Sequence, residues 1–311
     1  MHFLGFAARH GKWCLILGLL AGMLLPGLAL VLKDYLPVFI AGLLFLAALR
    51  IGPDAVRGGL QAARRTIWLV GIYQLAAPLA VFAVCWIFGV AHTPAALAFV
   101  LMLSAPSVTG APNFAILMGL RPDSALRMLI VGTALLPLTA MLVLWLLPGM
   151  DIRAVLYSAA RLVGVVLIAT SLAFALRSTV MKSLSDQQRQ GLDGASAILL
   201  GVVVVGLMSA VGPALTQDPA RFATWLGFAI AVNFGSQLLA WSALRTRVPE
   251  ADRPAISIVA GNRNIALFLV ALPSSMTDAL LIFIGCYQIP MYLTPIVLRR
   301  VLSRKGSAPS V

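Results

Sequence analysis

The sequence predicts an all-α integral membrane protein of ten transmembrane helices in two inverted five-helix halves, with the fourth and ninth spans interrupted. The prediction rests on a strongly apolar composition, a one-sided distribution of basic residues, and a Gly-x-x-Asn motif that recurs in the second half. Of 311 residues, 61% are hydrophobic and 11% charged, whereas soluble domains average roughly 25% charged residues. A spanning helix takes about 20 residues, so the length accommodates about ten of them and excludes a separate aqueous domain. An outer-membrane barrel would need segments of about ten residues with alternating polarity. Ile198 to Leu207 is instead free of charged and polar side chains at consecutive positions.

Breaking the chain at charged, Pro and Gly clusters gives spans near 13–32, 36–50, 65–88, 94–118, 125–147, 155–176, 191–212, 221–244, 254–272 and 277–298. The basic Arg9 to Lys12 stretch and the apolar run after it resemble a signal peptide. The run continues to full span length without a small-residue cleavage site, so it is read as the first helix. With both termini cytoplasmic, most Lys and Arg residues fall on one side, in segments around Arg9, Arg50 to Arg65, Arg121 to Arg127, Arg177 to Arg189, Arg245 to Arg253, and Arg299 to Arg304 and Lys305. Lys33, Arg153 and Arg221 fall on the other side. This asymmetry follows the positive-inside rule and predicts an even number of spans. The net charge of +13 is therefore a topology signal, not a nucleic-acid footprint. Cys14, Cys85 and Cys286 lie scattered in apolar segments, with no pairing pattern for a disulfide framework or a zinc site.

Gly110-Ala-Pro-Asn113-Phe-Ala-Ile-Leu117 in the fourth span matches Gly261-Asn-Arg-Asn264-Ile-Ala-Leu-Phe268 in the ninth, with Gly, Asn and Ala in register. Five intervening spans reverse the orientation, which divides the chain into halves 1–150 and 151–311 of one integrated membrane domain. Gly52-Pro53 and Gly212-Pro213 occupy corresponding places. Pro106, Gly110 and Pro112 argue against a continuous fourth helix, because proline removes a backbone donor and displaces the carbonyl one turn earlier. Freed backbone groups survive at membrane depth only when buried in protein or lining a cavity. Two broken helices in equivalent places point to a midplane site, and helix kinks alone do not account for an arginine, Arg263, inside a span. All ten Asp and Glu residues fall in loops or near predicted helix ends, and His2, His10 and His92 lie outside the spans. No carboxylate is expected beside Arg263. An intramembrane enzyme would need an acid, histidine or metal cluster within the spans, and none is present in the sequence.

At these residues the chain resembles the bile acid:sodium symporter family. Ile72-Tyr-Gln74-Leu-Ala-Ala-Pro78 is similar to the family's Gln followed by Pro, where the Gln belongs to a sodium site. Ile256-Ser-Ile-Val-Ala-Gly-Asn-Arg-Asn264 is similar to Ile-Ser-Ile-Glu-x-Gly-x-Gln-Asn, and Cys286-Tyr-Gln-Ile289 falls where relatives place polar residues facing the substrate. The resemblance implies ten helices, crossed fourth and ninth helices, and transport of a carboxylate such as a bile acid, keto acid or pantoate. Three sodium-associated positions depart from the pattern: Val259 stands for Glu, Arg263 for Gln, and Pro112 for the Ser before Asn113. Two unit positive charges about 4 Å apart repel by roughly 4 kcal/mol at an effective dielectric constant of about 20. These departures predict transport that does not require sodium at this site, and no other cofactor is expected.

The candidate substrate-binding residues are Thr109, Asn113, Arg263, Asn264, Tyr287 and Gln288, with Gln74, Val259 and Arg263 at the ion-site-like positions. Arg263 is either a tethered substitute for sodium, holding carbonyl groups, or an anchor for a substrate carboxylate through paired hydrogen bonds. The expected function is secondary transport of a small organic anion by alternating access, in the bilayer of a bacterial inner membrane. A metalloid or oxyanion exporter of related fold and a non-transporting receptor are the alternatives. Nucleic acid is not an expected partner.

Overall fold

The computed structural model describes residues 2–60, 63–147 and 150–302; Arg304 and Lys305 of the basic tail lie outside them. The described residues form helices and no named strand. In chain order these are α1 (His2–Arg9), α2 (Gly11–Leu24), α3 (Pro26–Asp34), α4 (Leu36–Leu60), α5 (Ala63–Gly71), a π-helical segment Ile72–Ala76, α6 (Ala77–Ile87), α7 (Pro94–Ser104), α8 (Ala111–Leu117) and α9 (Asp123–Leu144). They continue with α10 (Ile152–Thr179), α11 (Asp186–Leu207), α12 (Val211–Gln217), α13 (Pro219–Ala243), α14 (Arg253–Gly261), α15 (Phe268–Ala271), α16 (Ser274–Val297) and α17 (Arg299–Leu302). Seven helical segments among the described residues are long and apolar enough to cross a bilayer, or eight if the bent pair α2 and α3 makes one span. This is an α-helical membrane protein.

Three expected spans do not run as one continuous helical segment. The first, 13–32, bends by 108° between α2 and α3, where Pro26 opens α3 and Leu25 takes a non-helical conformation. Proline without its N–H is tolerated at a helix start but not in its interior. The fourth place, 94–118, holds α7 and α8, and the ninth, 254–272, holds α14, a short 3-10 turn at Ile265–Leu267, and α15. In the fourth, the interruption comes earlier than the motif suggested, at Ala105 to Gly110, so that Asn113 sits within the first turns of α8. α4 extends past the expected end and breaks at Gly52 (φ 76, ψ 164) before Pro53, a left-handed backbone that glycine adopts without strain.

The chain forms two compact units, and each takes segments from both halves of the sequence. One comprises Met1–Gln61, Ala160–Trp225 and Ala266–Cys286; the other Ala62–Ala159, Leu226–Ile265 and Tyr287–Val311. In the first unit, α11 is the central helix, with α1, α2, α3 and α4 packed on it. Its start is set by a reciprocal capping box: Gln188 N donates to Ser185 Oγ (3.2 Å) and Ser185 N donates to Gln188 Oε1 (2.9 Å). Between α2 and α11 the backbones meet at glycines, and a Cβ on Gly18 would stand 2.6 Å from Gly201 O. Small residues permit this approach where lipid supplies no hydrophobic drive for helix association. The Arg50 to Asp193 ion pair ties α4 to α11.

In the second unit, α5, α7, α8 and α14 pack around α9. Leu136, Ala140, Val143 and Leu144 of α9 are fully buried, so a spanning helix here serves as an interior scaffold. Both interrupted segments, Ala105–Gly110 and Asn262–Asn264, belong to this unit.

Candidate functional site

The site follows from where four elements of the second unit lose their regular hydrogen bonds. α7 stops at Ser104 because Ala105 precedes Pro106, and the residue before proline is driven out of the helical region; Ala105 has φ −65 and ψ 152. The chain stays non-helical until Ala111, and Pro112 falls in the first turn of α8, where its missing N–H costs no helical bond. α14 stops at Gly261, and Asn262 (φ −113, ψ 85) leaves the helix while its Nδ2 donates to Ile258 O at 2.7 Å. Asn262 N donates to the same carbonyl at 3.1 Å, so main chain and side chain of Asn262 together close the helix end on Ile258 O.

The two interruptions then pair with each other. Ser107 and Arg263 form an isolated antiparallel bridge, in which Val108 N donates to Asn262 O at 3.0 Å and Asn264 N to Pro106 O at 2.8 Å. Backbone groups freed by the breaks are in this way satisfied by the other break, as an apolar surrounding requires. Ser107 Oγ donates to Val108 O at 3.2 Å, a local role.

The π-helical segment supplies a further free carbonyl. Ala77 N donates to Ile72 O rather than to Tyr73 O, and the next donor in that register would be Pro78, which has no N–H. Tyr73 O is therefore left without an intrahelical partner. Arg263 collects the carbonyls that remain. Its Nη1 donates to Ala105 O at 2.9 Å, Nε to Ala260 O at 3.2 Å and Nη2 to Tyr73 O at 3.4 Å. The guanidinium carbon lies 4.8 Å from the centre of the Tyr73 ring, within cation–π range. Arg263 is 3% exposed, and none of the ion pairs among the described residues includes it. Its positive charge is met by carbonyl dipoles from α7, α14 and the π segment, together with an aromatic face.

Around this cation stands a buried polar layer. Tyr287 OH accepts from Arg263 N at 3.0 Å and donates to Gly261 O, which also accepts from Asn233 Nδ2. Gln237 Nε2 donates to Asn233 Oδ1 (2.8 Å) and Thr294 Oγ1 (3.0 Å), and Thr294 Oγ1 donates to Asn262 Oδ1 at 3.2 Å. A Cβ on Gly261 would collide with Asn233 O, so glycine is needed for α13 and α14 to meet there. On the far side of the π segment, Thr139 Oγ1 donates to Gln74 Oε1 at 3.0 Å.

The candidate residues divide accordingly. Arg263 and Tyr287 are in direct contact. Gln74 neighbours Tyr73 in the π segment and is 1% exposed, and Val259, 1% exposed, contributes an alkyl group one residue before Ala260. Asn264 enters through its backbone amide and is half-buried, as is Thr109; Gln288 is buried. Asn113 does not join the cluster: it is exposed on α8 on the same side as Ile116 and Leu117. Sequence reading missed Tyr73, Thr139, Asn233, Gln237 and Thr294. Asn233 and Gln237 carried a usable signal, since two polar side chains four residues apart share one face of an otherwise apolar helix.

The group around Arg263 does not fit sodium. That ion needs a cage of oxygen ligands, and here the carbonyls of Ala105, Tyr73 and Ala260 are turned to a fixed guanidinium with no carboxylate to offset a second cation. Comparison with known protein families and with curated proteins gives no match for this chain.

Proposed function

We propose that this protein is a secondary transporter of small organic anions, working by alternating access in a bacterial inner membrane with both termini cytoplasmic. In this reading the interrupted pairs α7 with α8 and α14 with α15 are the fourth and ninth of ten spans, related by the inverted Gly-x-x-Asn repeat, as the resemblance to bile acid:sodium symporters implies. One observation carries the proposal: two interrupted helices pair with each other through their breaks, with an arginine buried at the junction. Broken helices of this kind are costly in a bilayer, and they mark binding sites in transporters built from inverted repeats.

The contacts of Arg263 favour its role as a tethered cation over that of a carboxylate anchor. Three of its five N–H donors are held by main-chain oxygens from three separate segments, which supports a structural hold on the junction. A protein-bound cation organises the junction in every cycle without being released. Transport is then uncoupled from sodium at this place, leaving uniport, exchange or proton linkage. Asn264, Thr109 and Gln288 remain candidates for contact with substrate.

The deciding experiment is radiotracer flux into proteoliposomes across a panel of mono- and dicarboxylates, with and without sodium and proton gradients. Saturable flux of at least one carboxylate, unchanged when sodium is replaced, is the expected result. Absence of flux across the panel, with specific binding retained, would instead identify a receptor.

A further inference from the structure

α16 carries a second tyrosine that has no part in the junction around Arg263. Tyr287 OH bonds there to Arg263 N and Gly261 O. Tyr292, five residues later, is half-buried as a whole, but its hydroxyl oxygen is fully buried and has no hydrogen-bond partner. At 3.6 residues per turn, position 292 lies on a different face of α16 from Tyr287 and Thr294, and this face meets α8. The Tyr292 ring stands edge-on to that of Phe114, with ring centres 6.3 Å apart and planes at 88°. Phe114 is in turn folded against the end of the fourth-span interruption, since a Cβ on Gly110 would stand 3.5 Å from its Cζ. These ring contacts seat the Tyr292 phenol next to α8 and the interruption, all within the second unit.

A buried donor left without an acceptor carries the full cost of its lost hydration, and few such groups persist in native interiors. Aromatic packing does not require the hydroxyl, because a phenylalanine ring would meet Phe114 in the same edge-on way. A ligand oxygen would offset the cost. A phenol is a neutral donor, and it meets a carboxylate without setting another fixed charge at membrane depth. Arg263 has three of its donors on main-chain oxygens, whereas Tyr292 OH is wholly uncommitted.

We propose that Tyr292 is a binding residue for the transported anion, its hydroxyl donating to a carboxylate oxygen of a substrate that lies beside α8 and the fourth-span interruption. The inference rests on the transport reading and adds a residue to it. A hydrogen bond to a charged group is stronger than one between neutral partners, so this single contact sets a measurable part of the affinity. It also favours carboxylates over uncharged analogues of the same shape. A contact held equally through binding and translocation acts on KM and leaves the maximal rate alone.

The test compares the full wild-type chain with Tyr292→Phe, which keeps the ring and removes only the hydroxyl. The first readout is thermal unfolding in detergent without substrate. A hydroxyl that has no partner in the protein predicts the same or a higher midpoint for Tyr292→Phe; a lower midpoint would show that the protein itself uses the hydroxyl, and would overturn the inference. The second readout is uptake of radiolabelled butyrate, lactate, pyruvate and succinate into proteoliposomes. For each anion that the wild type takes up saturably, Tyr292→Phe should raise KM about tenfold or more, with the maximal rate held within about twofold. Tyr35→Phe, at an exposed tyrosine of the other unit, should match the wild type in both readouts. An unchanged KM in Tyr292→Phe, with or without a lower rate, would overturn the role of the hydroxyl and leave the transport reading standing. Wild-type uptake of none of the four anions would remove the transport reading and this role with it.

Discussion

Replacing Arg263 with methionine removes the cation while keeping a long apolar side chain, and it strands the carbonyls of Ala105, Tyr73 and Ala260. Hydrogen bonds between transmembrane helices average about 0.6 kcal/mol, whereas bonds to a charged group in a protein interior reach about 1.5–3 kcal/mol. Three such bonds together give about 2–9 kcal/mol. Since Arg263→Met also removes the charge that was costly to bury, roughly 2.5–3.5 kcal/mol on insertion scales, the charged-bond part of that range, about 4.5–9 kcal/mol, leaves a net loss of about 1–6.5 kcal/mol. Arg263→Lys keeps the charge but presents a compact ammonium in place of a planar fork, so it should lie between wild type and methionine. Arg263→Gln restores up to two donors without charge and should bind cations that the wild type does not. The assay is thermal unfolding of purified protein, with sodium titrated from low to high concentration against a large organic cation at constant ionic strength. The expected result is a lower midpoint for each variant and sodium-dependent recovery in Arg263→Gln alone. Methionine and wild-type proteins with the same midpoint would refute the view that the arginine holds the junction together.

Three further outcomes follow from the packing. Pro78→Ala supplies an N–H in the register that leaves Tyr73 O free, so the π segment should shorten or vanish and Arg263 Nη2 lose its acceptor, a change that a high-resolution structure of the variant would show directly. Gly261→Ala drives a methyl group into Asn233 O and should cost about 1–3 kcal/mol, the usual range for overpacking; in thermal unfolding the same substitution at Gly227, where a Cβ meets nothing within 4 Å, should be tolerated. Gly18→Leu separates α2 from α11 at the point where a Cβ would stand 2.6 Å from Gly201 O, and limited proteolysis should cut the N-terminal helices faster than in the wild type, whereas Gly27→Leu, in open space, should not change the rate.

Much of the helical pattern was legible in the sequence because a bilayer leaves few choices. Apolar runs of span length must be helical, so the runs that became α9, α10, α13 and α16 could be placed from composition alone. The two interruptions were legible for the same reason: Pro106 with Pro112, and Gly261 with Asn262, Arg263 and Asn264, cannot continue a lipid-facing helix. The 108° bend at Leu25 was less visible, since one proline in an apolar run fits either a kink or a helix start.

Covalent neighbourhood alone determined where the backbone would be left unsatisfied: before Pro106, around Pro78 and after Gly261. Which groups would satisfy it was decided only by the tertiary structure. The pairing of Ser107 with Arg263 joins positions 156 residues apart in the chain, and nothing local to either segment specifies the other. Arg263 was conspicuous from sequence as a cation without a carboxylate, but the three carbonyls from separate elements that its donors meet could not be read there. Asn113 shows the converse. It matches Asn264 in the motif, but the early break at Ala105 set it inside α8, on the exposed side with Ile116 and Leu117. A motif fixes the backbone liability it creates, whereas the direction of a side chain on a helix depends on the residue at which that helix begins.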